Sequence, residues 1–202
     1  MIITLLKKRR GLLNEVQFSD GTYILIDRAL CEENSLEEGK EITEEKVNFL
    51  EDESQRRRCK SRALYYLSCK DYSKKGLFAK LCEAGFSEPF VSETVNRMLE
   101  LGLIDDNRFS ERFVDCCVMN NMSNREIVAK AYLKHADINT VKELLETETF
   151  GAETVRIKNL LCTKYAQKSD CEKVIAALLR KGFSFSDIKT ALFEIKEEQN
   201  EL

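Results

Sequence analysis

Three groups of residues in the chain have side chains suited to covalent or acid–base chemistry: eight cysteines, the adjacent Asp105 and Asp106, and a single histidine, His135. One histidine excludes a multi-histidine metal site, and any Ser-His or Cys-His catalysis would depend on it. The cysteines form no C-x-x-C pair, the spacing typical of structural zinc sites. We therefore expect no metal site and mostly reduced, buried cysteines, including one of the neighbours Cys116 and Cys117.

The paired aspartates have an explanation other than catalysis. Adjacent residues at a helix start do not face each other, and aspartate there caps free N–H groups at the positive helix end. We interpret Asp105 and Asp106 as caps, and Phe109 and Phe113 as packing residues at a seam between repeats. His135 is expected to hydrogen-bond free carbonyls near a helix end. The sequence contains no G-x-x-x-x-G-K phosphate loop, so we expect neither nucleotide hydrolysis nor a cofactor.

Charge is distributed unevenly along the chain. The formal net charge is −3, yet residues 54–82 hold nine basic residues and one acidic residue. Such a run favours a polyanionic partner and salt-sensitive binding, and the alternative is a solvated helix face without a partner. Tyr65, Tyr66 and Tyr72 lie in the same run as candidates either to stack on bases or to pack between helices. The nine basic residues are Arg56, Arg57, Arg58, Lys60, Arg62, Lys70, Lys74, Lys75 and Lys80. In a helix, Arg58 and Arg62 share one face, and Arg56 and Lys60 share another.

The first fifty residues have the pattern of short strands. Ile2–Leu6 is β-branched and apolar, and Leu13–Phe18 and Thr22–Asp27 flank the turn-forming pair Asp20-Gly21. Asp-Gly between two such runs predicts a β-hairpin, so we expect an antiparallel sheet of two or three strands. Thr43 is a plausible cap for a short helix that ends this unit.

From about Ser54 the apolar residues recur with helical spacing, and helices are expected to end at Gly85, Gly102 and Gly182. The segment Leu81–Phe86 matches Leu178–Phe183, whereas the middle copy, Leu133–Ile138, keeps the ends and lacks the glycine. This pattern predicts a mainly α protein of three tandem three-helix repeats, in an elongated curved array behind the strand unit. The middle helices of the repeats are expected to begin at Ser73, Ser123 and Ser169. We divide the chain into a strand unit with a short helix at 1–52 and repeats at 53–104, 105–148 and 149–202.

Three stretches carry a family resemblance: Ala63–Ser68, Lys80–Phe86 and Leu101–Phe113. They resemble the RecX family of bacterial regulators of the RecA recombinase, from about residue 54 to residue 200, and the strand unit resembles the Gram-positive form. The chain departs from the family pattern at Cys69–Ser73, where Lys70 replaces an expected arginine, and at Ala136–Ile138, where Lys-Gly-Ile is usual.

The resemblance implies a non-enzymatic protein that lies in the groove of the RecA–single-stranded DNA filament. It implies suppression of the recombinase ATPase, strand exchange and coprotease activities, in DNA repair and the SOS response. The nine basic residues are then candidates to contact RecA or DNA. A stand-alone DNA-binding protein using the basic first repeat remains the main alternative. A small enzyme using Cys116, Cys117 or the aspartate pair, and a scaffold for an unrelated protein, are further alternatives.

The sequence has neither the pattern of a secretory signal peptide nor that of a membrane-spanning segment. The apolar run at Met1–Leu6 is too short for a signal peptide and is followed by its charges, and no stretch approaches the ~20 apolar residues of a membrane span. We expect a cytoplasmic monomer that does not engage membranes.

Overall fold

The structure, a computed structural model, describes residues 1–147, 152–166 and 171–200. It begins with three strands, β1 (Ile3–Lys8), β2 (Leu13–Phe18) and β3 (Tyr23–Asp27), paired antiparallel in the order β1-β2-β3. At the predicted Asp20-Gly21 turn, Gly21 has a φ of +84°, and the Asp20 carboxylate accepts a hydrogen bond from the Thr22 N–H at 3.0 Å. The predicted hairpin and antiparallel sheet are confirmed.

The rest of the described chain is helical, which confirms the mainly α class. A short helix that the sequence did not predict, α1, follows β3 directly because Asp27 caps it, accepting from the Ala29 N–H at 3.0 Å. Among the described residues, no helix is both long and apolar enough to cross a membrane. The described helices are α1 (Arg28–Glu33), α2 (Glu44–Cys69), α3 (Lys74–Glu83), α4 (Glu88–Glu100), α5 (Asp106–Met119), α6 (Asn124–Leu133), α7 (Ile138–Glu146), α8 (Glu153–Cys162), α9 (Cys171–Arg180) and α10 (Phe185–Asn200).

Helix α2 corrects one prediction. The short helix expected after Thr43 and the basic helix expected from about Ser54 are one continuous helix of 26 residues, capped by the Thr43 hydroxyl. Its first half buries Val47 and Leu50, whereas its second half buries Cys59 and Ala63 on a different side. Because the buried side changes along the helix, the apolar pattern has no single period, and the sequence divides into two apparent helices.

The ends of the three middle helices correct a second prediction. Gly85, His135 and Gly182 have φ values of +88°, +56° and +96° and follow α3, α6 and α9. After each, the next N–H donates to the carbonyl five residues earlier: Phe86 to Leu81, Ala136 to Ala131, and Phe183 to Leu178. These are equivalent Schellman ends, so His135 occupies the glycine position. The sequence alignment of the middle copy at Leu133 was wrong by two residues.

The chain forms two compact units. The first unit contains residues 1–71 and 77–103, and its core joins the inner face of the sheet to α1 and to the first half of α2. The second unit contains residues 72–76 and the described residues from Ile104 onward, with one apolar cluster among α5, α6 and α7 and another among α8, α9 and α10. The four-part division of the chain stays a prediction. Its boundary at 148/149 and the predicted cap Ser169 lie outside the described residues.

Two buried serines make equivalent contacts in the second unit. The Ser73 hydroxyl donates to the His135 carbonyl at 2.7 Å and accepts from the Gly76 N–H at 3.0 Å. The Ser123 hydroxyl donates to the Lys181 carbonyl at 2.6 Å and accepts from the Glu126 N–H at 3.1 Å. Each serine therefore caps its own helix and, through one hydrogen bond, fixes the end of the next middle helix along the chain.

Candidate nucleic-acid interface

Helix α2 positions most of the basic run on two sides of a buried seam. Cys59 and Ala63 are fully buried where α2 packs against α4. Arg56 and Lys60, four residues apart, lie on one flank of this seam, and Arg58 and Arg62 lie on the other. The two flanks differ in their neighbours. This difference decides which basic side chains are held by carboxylates of the fold and which can contact a ligand.

The arginines Arg56 and Arg57 are occupied by carboxylates of the first unit. The Arg57 guanidinium bonds both Glu33 oxygens at 2.8 and 2.9 Å and Glu53 at 2.9 Å, and Arg56 pairs with Glu53 at 3.1 Å and Glu93 at 3.0 Å. The Arg57 guanidinium lowers the pKa of Glu33 and of Glu53, and Glu33 and Glu53 in turn raise the pKa of Arg57. Both arginines therefore join elements of the fold instead of offering unopposed charge.

Lys60, on the same flank, is surrounded by both acidic and basic side chains. It lines an open depression of about 620 Å³ together with Arg56, Arg97, Glu93 and Glu100. Arg97 pairs with Glu100 at 2.9 Å. A polyanion approaching here would meet acidic as well as basic side chains, so this flank is poorly suited to phosphate.

The opposite flank combines positive charge with aromatic rings. The Arg58 guanidinium lies 5.9 Å from the centre of the Phe86 ring, and that of Arg62 lies 5.9 Å from the centre of the Tyr66 ring. Tyr65, 59% exposed, is tilted against Tyr66 with ring centres 6.0 Å apart. Arginine beside exposed tyrosine is suited to phosphate contact and to base stacking.

The remaining basic residues fall in different places. Lys70 caps the end of α2 through its backbone, donating to the Tyr66 carbonyl at 3.2 Å, and Lys80 pairs with Glu83 at 2.8 Å. Lys74 and Lys75 are exposed in the first turn of α3 and belong to the second unit. The structure thus brings together Arg58 and Arg62 from the predicted nine, whereas the other seven are paired, balanced or located elsewhere.

The residues with candidate chemistry take structural positions. Asp105 caps α5, accepting from the Arg108 N–H at 3.0 Å, and Asp106 accepts from the Lys74 N–H at 2.7 Å. Phe109 and Phe113 stack with ring centres 6.5 Å apart and pack against the cluster among α5, α6 and α7. No group of three metal-ligating side chains lies together within the described ranges.

The prediction that most cysteines are buried is wrong, since three of the eight are buried and four are exposed. The adjacent pair does differ in exposure, as predicted. Cys117 is buried and Cys116 is exposed, and burial raises the pKa of the Cys117 thiol. Burial likewise raises the pKa of the Cys31 and Cys59 thiols. A raised pKa keeps these thiols protonated, which makes them poor nucleophiles.

Sequence reasoning missed residues of the N-terminal unit beside Arg58. Tyr23 and Leu25 of β3 line a groove of about 330 Å³ together with Arg58 and Phe86. The available clue was the exposed alternation along Tyr23–Asp27, which places every second side chain on the face of the sheet opposite the core.

Comparison with known proteins gives concordant matches. A model of the first three-helix domain of RecX matches residues 59–98. "Regulatory protein RecX" of Streptococcus sanguinis (strain SK36) is 28% identical over 201 residues, covering 96% of this chain and 77% of the relative. A crystal structure of RecX from Lactobacillus salivarius has a TM-score of 0.59 at 25% identity, covering 70% of this chain and 97% of that chain. A second crystal structure, of a regulatory protein RecX, has a TM-score of 0.60 at 21% identity over 94% of this chain and 98% of that chain, which supports the fold.

Proposed function

We propose that the chain is a member of the RecX family and a non-enzymatic regulator of the RecA recombinase, which its similarity to RecX proteins supports. It binds in the groove of the RecA–single-stranded DNA filament and inhibits ATP hydrolysis, strand exchange and coprotease activity, in DNA repair and the SOS response. It acts in the cytoplasm as a monomer and needs no cofactor.

The observation that carries the proposal is the flank of α2 that bears Arg58 and Arg62. Arg62 lies in the segment that matches the family's first three-helix domain, and Arg58 lies just before it. The two guanidinium groups lie over the aromatic rings of Tyr66 and Phe86. Their charge is therefore available to phosphate or to acidic recombinase surface. Binding slows the recombinase to the extent that the chain binds its inactive filament state more tightly than its active state.

The test is a titration of the protein into RecA that is hydrolysing ATP on single-stranded DNA. We expect inhibition at amounts well below one molecule per recombinase subunit, and no ATP hydrolysis by the protein alone. Unchanged ATPase at a stoichiometric amount of protein would refute the proposal.

A charge-reversal pair assigns the surface. Arg58→Glu with Arg62→Glu should weaken inhibition, because both side chains then repel phosphate. The matched control is Lys189→Glu with Lys196→Glu, which makes the same change in net charge on exposed positions of α10. Arg57 is left intact because it holds Glu33 and Glu53. Equal inhibition by the two variants, both folded by circular dichroism, would exclude this flank.

The same flank also supports a second candidate, a stand-alone DNA-binding protein. That function requires salt-dependent binding to bare DNA and no effect on the recombinase at matched DNA occupancy. Adding excess DNA to the ATPase assay separates the two, since simple competition for DNA is relieved by excess DNA whereas filament binding persists.

A further inference from the structure

The outer face of the N-terminal sheet exposes an aromatic and an aliphatic side chain. The strand register aligns Leu5 with Gln17 and Gln17 with Tyr23 in one row, and Lys7 with Glu15 and Glu15 with Leu25 in the next. Side chains alternate between faces, and the intervening residues Val16 and Ile24 lie on the opposite face, where Val16 is buried in the core and Ile24 packs against it. Tyr23 is 62% exposed and Leu25 is 39% exposed on the outer face. Exposed apolar side chains are common on protein surfaces, so this pair supports a contact surface only together with the charges beside it.

A basic turn borders this face. Lys7, Lys8, Arg9 and Arg10 are consecutive and exposed, and Gly11, with a φ of +73°, turns the chain into β2. Lys8, Arg9 and Arg10 line an open depression of about 660 Å³ together with Tyr23, Leu25 and Glu15.

Glu15, the acidic residue that lines this depression, is already paired with a basic side chain. The Glu15 side chain is 8% exposed, forms an ion pair with Arg9 and accepts from the Gln17 amide at 2.9 Å. Arg9 and Gln17 lower the pKa of Glu15, so it remains ionised and paired. Within the part of the chain that the structure describes, the ion pair of this turn is made by Arg9, and no carboxylate is paired with Lys8 or Arg10, so their charge is available to a ligand.

The depression adjoins the groove that contains Arg58. Tyr23 and Leu25 line both cavities, and the groove, which Glu51 also lines, reaches Arg58 and Phe86. All of these residues belong to the first unit. A continuous surface therefore leads from the basic turn across Tyr23 to Arg58, with positive charge at both ends and an exposed ring between them.

We propose that this surface binds single-stranded nucleic acid. Tyr23 stacks on a base, Lys8 and Arg10 contact the backbone phosphates, and Arg58 contacts a phosphate farther along the strand. A single strand is required because the bases of a duplex stack on one another and present no free face to Tyr23. The site does not depend on recombinase binding, since its contacts are to the nucleic acid alone.

The test measures binding of a fluorescein-labelled oligothymidylate by anisotropy, without RecA, over a series of salt concentrations. Tyr23→Ala should weaken binding about tenfold at every salt concentration, and Tyr23→Phe should restore it because the ring is kept. Lys8→Gln with Arg10→Gln should reduce the slope of log affinity against log salt by about 1.4, or ~0.7 for each lost phosphate contact.

Matched controls are available in the second unit. Tyr132→Ala removes a tyrosine that is 65% exposed, and Lys189→Gln with Lys196→Gln removes two exposed charges. We expect both controls to bind the oligonucleotide as the unchanged protein does, to within about twofold.

Several results would overturn the proposal. The first is that the unchanged protein does not bind the oligonucleotide, and the second is that test and control variants lose binding equally. The third comes from a parallel titration with poly-glutamate, if the test variants lose poly-glutamate binding and keep oligonucleotide binding. The last would assign the surface to an acidic protein segment. Failure of the regulator proposal is distinguishable, since it appears as an unaltered RecA ATPase rate, independently of whether the protein binds the oligonucleotide in the absence of RecA.

Discussion

Replacing Ser123 by alanine should destabilise the second unit by about 2–3 kcal/mol. The fully buried hydroxyl accepts from the Glu126 N–H at 3.1 Å and donates to the Lys181 carbonyl at 2.6 Å. Losing a serine N-cap costs about 1 kcal/mol. Leaving the Lys181 carbonyl without its donor, beside a buried site, costs about 1–2 kcal/mol more.

Urea unfolding followed by circular dichroism at 222 nm measures this loss. With a denaturant slope of about 2 kcal/mol per molar, the midpoint of the second unit should fall by ~1–1.5 M. The control is Ser186→Ala in the same unit, because Ser186 is exposed on α10. A change for Ser123→Ala within about 0.5 kcal/mol of the control would refute the assignment of Ser123 as the residue that fixes two helix ends.

Three more perturbations test other contacts. Gly85→Ala and Gly182→Ala should each lower stability by about 1–2 kcal/mol, because both glycines are left-handed. Gly182→Ala should cost more, since its new Cβ would lie 2.9 Å from the Ser123 hydroxyl, whereas a Cβ at Gly85 meets nothing within 4 Å. The urea midpoints of the two variants measure this difference, and equal losses would contradict the close approach at Gly182. Arg57→Met should flatten the fall in stability between about pH 5 and pH 3. The pKa values of Glu33 and Glu53 are lowered in the folded protein, so these carboxylates contribute stability at neutral pH that is lost as they protonate. An unchanged dependence of stability on pH in this range would contradict the pairing. In native protein, a thiol reagent followed by peptide mass analysis should label the exposed cysteines quickly and the buried ones slowly, and fast labelling of the buried set would contradict the packing. The exposed set is Cys69, Cys116, Cys162 and Cys171, and the buried set is Cys31, Cys59 and Cys117.

Local chemistry made part of the fold predictable. The Asp20-Gly21 turn, the Thr43 cap and the glycine ends at Gly85 and Gly182 depend on residues within a few positions of one another. Each has a side chain or a backbone freedom that few other residues supply, so the sequence pattern was sufficient.

Tertiary context decided the parts that the sequence did not predict. His135 takes a left-handed conformation without being glycine, which local preference disfavours, and its position follows from the Schellman bonds around it. The length of α2 was hidden because its two halves bury different sides.

The charge pattern of the candidate interface was visible in the sequence, but its availability was not. Arg57 and Glu33 are 24 residues apart and meet only in the folded first unit. That pairing removes Arg57 from the available charge and leaves Arg58 and Arg62. The position of Tyr23 beside Arg58 was equally hidden, since it depends on β3 lying beside α2.

The unbroken α2 has a consequence for how the first unit opens. At 1.5 Å per residue its 26 residues span about 39 Å, and they belong at one end to the sheet core and at the other to the packing with α4. The N–H to C=O hydrogen bonds at the middle of α2 join residues of the two halves, so we expect opening of one core to weaken the helix where it enters the other. Backbone amides near Ser54 and Cys59 should therefore be among the slowest in the first unit to exchange with deuterium, and occupancy of the sheet by a ligand should slow exchange around Arg62 as well.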